Sequence, residues 1–110
     1  MIYVYGIPNC GSVKKARQLL EETNVAYTFV DFKKTPPTDK QIEHWLHKIG
    51  ANTLINKKGT KWRSLTDEEK QLPAATVIAL HPTVIKRPLI EWENGTITVG
   101  FNQDDILQRV

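Results

Sequence analysis

Val4-Tyr5-Gly6-Ile7-Pro8-Asn9-Cys10-Gly11-Ser12-Val13-Lys14-Lys15-Ala16 decides how this chain folds. Ile2 to Tyr5 is apolar, β-branched or aromatic throughout, which predicts a central strand buried on both faces. Gly6 and Pro8 shape a turn. Val13, Ala16, Leu19 and Leu20 then recur at the spacing of one helix face. The predicted helix runs from residue 11 to about 23, with Asn24 as its stop. Cys10, the only cysteine, falls at the turn-to-helix junction. The first N–H groups of a helix have no intrahelical partner, and that end carries partial positive charge. Both favour thiolate, the reactive form of cysteine. Lys14 and Lys15 add positive charge in the next turn, Ser12 offers a hydroxyl to the sulfur, and Gly11 leaves the sulfur unshielded on one side. Most lone cysteines are small buried apolar residues. The strand–turn–helix position is what moves this one towards chemistry.

The chain has 110 residues, which predicts one domain spanning 1–110 with a core of its own. With one cysteine there is neither an internal disulfide nor a cysteine-rich zinc site. No apolar run is long enough to span a membrane and no signal-peptide pattern opens the chain, so no membrane partner is expected. A free reactive thiol suits the reducing cytoplasm. The net charge of +3 is mildly basic. The cations are scattered rather than blocked together with aromatics, which argues against nucleic acid as a partner. Lys14, Lys15, Arg63, Lys86 and Arg87 lie near candidate turns and suit a small anionic substrate.

A second strand is predicted over 26–31, and strand–helix–strand with short connections implies a right-handed parallel βαβ unit. Lys33 to Pro37 is a polar break. Thr38 with Gln41, and Thr66 with Glu69, are capping-box patterns. Ile42, Trp45, Leu46 and Ile49 follow the first at helical spacing, and Gly50 ends that helix. His44 and His47 share it, but no further ligand stands at motif spacing, so they read as a solvated face. Residues 38–80 thus form a helical insertion, with a loop at 56–60 and a break at Pro73. Strands follow at about 89–93 and 96–99, joined at Asn94-Gly95, a strong hairpin signal. Asn102 caps a last helix with Ile106, Leu107 and Val110 on its buried side.

The order βαβ, helical insertion, ββα is that of an α/β thioredoxin-like fold around a four-stranded mixed sheet. Three motifs carry a family resemblance: Tyr5 to Cys10 with Val13 to Ala16, Leu54 to Arg63, and His81 to Pro88. With them the chain resembles the arsenate reductase-like (ArsC/Spx) family, closest to its YffB-type branch of glutathione-dependent thiol reductases. The resemblance implies that Cys10 is the nucleophile. It makes Arg87 the arginine that binds oxyanion or steadies the thiolate, and Pro88 the cis-proline facing the site. Asn56 and Ile97 stand where arsenate reductases of this class carry arginines, which argues against arsenate. The Spx branch comprises redox-sensing regulators that bind RNA polymerase, many with a Cys-x-x-Cys switch. Val13 occupies the second cysteine position here.

The catalytic candidates are therefore Cys10 and Arg87. Asn9, Gly11, Ser12, Lys14, Arg63, Lys86 and Pro88 are the candidates for substrate binding. No metal or bound cofactor is expected. A lone thiolate attacking an oxidised centre needs an outside thiol to resolve the product. The resemblance implies that this thiol is glutathione, a co-substrate whose carboxylates suit Arg87, Lys86 or Arg63. The alternative is a non-catalytic, Spx-like module that binds RNA polymerase or another protein.

Overall fold

A computed structural model describes residues 1–110. In chain order the elements are β1 (Ile2–Gly6), α1 (Gly11–Glu22), β2 (Tyr27–Asp31), α2 (Asp39–Ile49), α3 (Ala51–Leu54), α4 (Thr60–Ser64), α5 (Asp67–Lys70) and α6 (Ala74–Leu80). A 3₁₀ turn (Pro82–Val84), β3 (Leu89–Glu91), β4 (Ile97–Val99) and α7 (Gln103–Arg109) complete the chain. The sheet has the order β2-β1-β3-β4, with β1 parallel to β2 and antiparallel to β3. This is the expected βαβ…ββα topology, and α2 to α6 lie between β2 and β3 in the chain.

Alternation along the strands sorts side chains to two faces. Ile2, Val4 and Ile90 pack with Ala16 and Leu20 of α1 and Ile106 of α7. Tyr5 and Leu89 face the other way, against Ile42 and Trp45 of α2, Leu54 of α3 and Ile78 of α6. Burial of β1 on both faces is interrupted at Tyr3, which is exposed. Tyr3 shares the face of Tyr5, but the helical layer does not extend over it.

A polar clamp ties the insertion to the sheet. Glu91 on β3 accepts from the Tyr5 hydroxyl at 2.8 Å and from Trp45 Nε1 at 2.9 Å, one bond on each carboxylate oxygen. Gln41 Nε2 donates weakly to the Tyr5 hydroxyl at 3.4 Å. Trp45 is fully buried, and its indole edge meets the Tyr5 ring at a centroid distance of 5.0 Å. Burial, then the Glu91 hydrogen bond and charge, push the Tyr5 phenol well above its ordinary range.

The local stop and start signals operate as read. Asn24 ends α1 in the left-handed region at φ 59°, and the two capping boxes form at Thr38–Gln41 and Thr66–Glu69. Two details differ from expectation. Asn94 and Gly95 do not form a two-residue hairpin loop. The turn runs from Trp92 to Gly95, with the Gly95 N–H on the Trp92 carbonyl at 3.0 Å, and Gly95 alone has positive φ, at 87°. This matches a turn followed by a left-handed glycine. It is held by the Asn94 side chain, which accepts from the Thr96 N–H at 3.0 Å, so the strands are shorter than predicted. In α7 only Ile106 is buried, whereas Leu107 and Val110 are exposed. The helix is one contact wide, and Arg109 covers the Trp92 ring at 5.7 Å in their place.

Two outcomes test this account. Gly6→Ala places a Cβ 2.6 Å from Val13 Cγ2, in a site where Val13 is fully buried. Urea denaturation is expected to show a loss of about 1–3 kcal/mol, the usual range for overpacking. Adding Val13→Ala should cost less than its effect alone, because the pair is in contact. For Tyr5, a folded-state pKa above the unfolded value of about 10 stabilises the fold below that pH and ceases to do so as pH rises. Wild-type stability should therefore fall above about pH 10 by more than that of Tyr5→Phe. Parallel losses in the two proteins would count against the clamp.

Candidate active site

Three features fix the Cys10 loop. Gly6 ends β1 with no room for a Cβ, so α1 begins hard against the strand. The Cys10 N–H closes the Ile7-Pro8-Asn9-Cys10 turn on the Ile7 carbonyl at 3.3 Å. The Cys10 carbonyl accepts from the Lys14 N–H at 3.0 Å and so starts the helix. Cys10 is thus the N-cap of α1, with extended backbone at φ −87° and ψ 127°, and is partly exposed.

Its sulfur makes no capping hydrogen bond. The hydroxyl of Ser12, expected to donate to the sulfur, makes no hydrogen bond to it. The backbone N–H groups of Gly11, Ser12 and Val13 likewise have no acceptor in the chain. A Cβ on Gly11 would meet nothing within 4 Å, so the approach over the first turn is open. Three free donors at the positive end of a twelve-residue helix form a site for an anion or a thiolate.

The second half of the site comes from β3. Tyr5 pairs with Leu89, so the same register carried one step further sets Pro88 opposite Gly6. The Arg87–Pro88 peptide bond is cis. Pro88 is buried, Arg87 is partly exposed, and Lys86 is exposed. The Arg87 guanidinium takes part in none of the three ion pairs of the molecule, which join Met1 to Glu93, His81 to Glu69 and Arg109 to Asp105. Its backbone N–H and carbonyl are also without backbone partners. An arginine with no internal partner, on the segment next to the Cys10 loop, is available to an external anion.

Asn9, Cys10, Gly11 and Ser12 therefore share one sheet end with Arg87 and Pro88. Lys14 borders a shallow depression with Arg17, Gln18 and Glu21 that does not reach Cys10. Arg63 is exposed on α4 and has no ion-pair partner. Lys86 borders a depression with Lys57 and Lys58, whose cationic role spacing alone did not reveal. The signal available was the run Asn56-Lys57-Lys58-Gly59; what it lacked was the nearness of Lys86, which lines the same depression. That nearness follows from an antiparallel bridge between Ile55 and Ile85, flanked by hydrogen bonds from the Asn56 N–H to the Val84 carbonyl and from the Lys86 N–H to the Leu54 carbonyl, both 2.8 Å. Ile97 is buried in the insertion-side core, and Asn56 is partly exposed. No helix is long and apolar enough to cross a membrane.

Comparison with known proteins agrees with this fold. The solved YFFB protein superposes with a TM-score of 0.92 at 33% identity, covering 99% of this chain and 98% of its own. A protein described as a possible arsenate reductase from Streptococcus mutans superposes with a TM-score of 0.78 at 30% identity, over 98% of each chain. Among relatives in sequence, an uncharacterized protein of Haemophilus influenzae is 35% identical over 96% of this chain and 95% of its own length. The global transcriptional regulator Spx 1 of Bacillus cereus is 27% identical over 96% of this chain and 84% of its own length. The sequence model of the ArsC family matches residues 5–109, nearly the whole length, and the chain belongs to the ArsC family.

Proposed function

We propose that the protein is a monothiol reductase in which the Cys10 thiolate attacks an oxidised substrate and glutathione regenerates the thiol. The observation that carries this reading is the only cysteine of the chain at the N-cap of α1, beside three unpaired backbone donors. Attack on a disulfide sulfur forms a bond from Cys10 to that sulfur and expels the other sulfur as thiolate. The position of a second, resolving cysteine is filled by Val13, fully buried beneath β1. When the sulfur taken by Cys10 is that of a glutathionyl group, a second glutathione thiolate attacks it, releases Cys10 as thiolate and forms oxidised glutathione. Arg87 pairs a carboxylate or oxyanion of the bound species, and Asn9, Gly11, Ser12 and Pro88 border the reacting sulfur. Lys14, Lys86 and Arg63 contribute longer-range positive potential.

A second reading has the Spx relatives behind it: a non-catalytic module that uses the same sheet end to bind RNA polymerase. Co-purification with polymerase in the absence of any glutathione-dependent turnover would favour it.

Steady-state kinetics with a glutathione mixed disulfide decide between the two. Cys10→Ser should abolish turnover, and trapped wild-type enzyme should carry one glutathione on Cys10 by mass spectrometry. A charge-assisted hydrogen bond contributes roughly 1.5–3 kcal/mol. Arg87→Ala should then lower kcat/KM about ten- to a hundred-fold, since each 1.4 kcal/mol is tenfold. Arg87→Lys should recover only part of this, because lysine keeps the charge and loses the planar fork.

Arsenate should be a poor substrate even for the wild type. Ile97, where arsenate reductases of this class carry an arginine, is buried against the insertion-side core and offers no charge. Efficient arsenate reduction that survives Arg87→Ala would overturn both the disulfide preference and the role of Arg87.

A further inference from the structure

The depression bordered by Lys57, Lys58 and Lys86 has a volume of about 350 Å³ and is lined otherwise by Asn52, Ile55 and Asn56. No acidic side chain lines it, and none of its three lysines is in an ion pair. Asn56 is held as a rim by its own loop, its Oδ1 accepting from the Lys58 N–H at 3.2 Å. Gly59 is packed so closely on Asn56 that a Cβ would lie 2.9 Å from its amide nitrogen, which keeps this loop compact. The Ile55–Ile85 bridge fastens the loop to the segment that carries Arg87. The cationic depression is therefore built into the frame of the site.

Its distance from the nucleophile follows from the backbone. Lys86 is two residues from Pro88, which stands opposite Gly6, and Cys10 follows Gly6 across one tight turn. At 3.8 Å per Cα step and about 5 Å between paired strands, the separation is on the order of 10–20 Å. An extended chain covers that in about three to six residues at 3.3–3.6 Å each. Between the two points lie the unpaired N–H and carbonyl of Arg87, which can pair with an extended backbone. Cys10 is partly exposed, so its sulfur can be reached from solvent.

We infer that the oxidised substrate is an acidic polypeptide in mixed disulfide with glutathione, its carboxylates seated on Lys57, Lys58 and Lys86 a few residues from the reacting cysteine. This rests on the reductase reading above and names its substrate class. A polypeptide is favoured over a nucleic acid because the group that Cys10 attacks is a disulfide. Cys10 thiolate takes the glutathionyl sulfur and the polypeptide leaves as thiolate. A second glutathione, as thiolate, then takes the glutathionyl sulfur from Cys10, so one disulfide is reduced and oxidised glutathione is formed.

The test uses two peptides of equal length, each carrying one glutathionylated cysteine, with three glutamates or three lysines at three to six positions from it. Turnover is followed at low and high salt with wild type and with Lys57→Glu/Lys58→Glu/Lys86→Glu. The acidic peptide should have the higher kcat/KM by about tenfold or more at low salt, in the range of electrostatically steered association. The ratio should collapse at high salt, where charges beyond a few ångströms are screened. The triple variant should invert the preference, and its unfolding curve checks that it is folded. Equal use of both peptides by the wild type at low salt overturns the inference and leaves the reductase reading intact. So does a variant whose KM for glutathione rises while the peptide preference persists, since the lysines would then serve glutathione itself. Absence of turnover with either peptide overturns the reductase reading and the inference with it.

Discussion

The close approach of Val13 to Gly6 is the constraint on which the site depends. Any side chain at residue 6 would press on a fully buried, β-branched valine in the first turn of α1. Glycine here serves space and not backbone freedom, since its φ is not positive. With the helix start held against the end of β1, the turn between them spans only a few residues and closes on the Ile7 carbonyl. Cys10 then has one place to be, at the N-cap. Its exposure to free backbone donors is a result of how the helix is seated, before any side-chain chemistry is considered.

The insertion reaches the same end of the sheet by a different route. Its helices are short, and α3, α4 and α5 have only four or five residues each. Helices of that length are not stable alone. They are held by Leu54, Ile55, Leu65, Val77 and Ile78 in one apolar cluster with Tyr5 and Leu89. The Glu91 carboxylate adds direction to that packing. It satisfies Tyr5 and Trp45 together, and a half-buried acid with both oxygens bonded can sit in only one orientation. The strand residue that fixes α2 is thus three positions from Pro88, so sheet, insertion and site share one frame.

The chemistry follows from what surrounds the sulfur and from what is missing in the chain. A thiolate is stabilised by donors and positive potential, and a single thiol cannot resolve its own mixed disulfide. Arg87 is in no ion pair within the protein, which leaves its guanidinium open to an external anion. The lysines of the 56–58 loop extend the same positive potential outward.

Much of the architecture was legible in the sequence, because it rests on local physics. Strand and helix periodicity, Asn24 in the left-handed region, the two capping boxes and the Asn102 cap act within a few residues of themselves, and each appears where its pattern stands. Cys10 at a helix N-terminus was legible for the same reason. Tertiary structure decided what depends on distant partners. It made Gly6 a packing residue and left Tyr3 uncovered. It turned Leu107 and Val110 outward by laying Arg109 on Trp92. It set the hairpin as a turn with a left-handed glycine, since the β3–β4 register and not the Asn-Gly pair alone chooses the loop. It also drew Lys57 and Lys58 to one depression with Lys86. Charge placement of that kind comes from one bridge between Ile55 and Ile85, a contact that no spacing rule encodes.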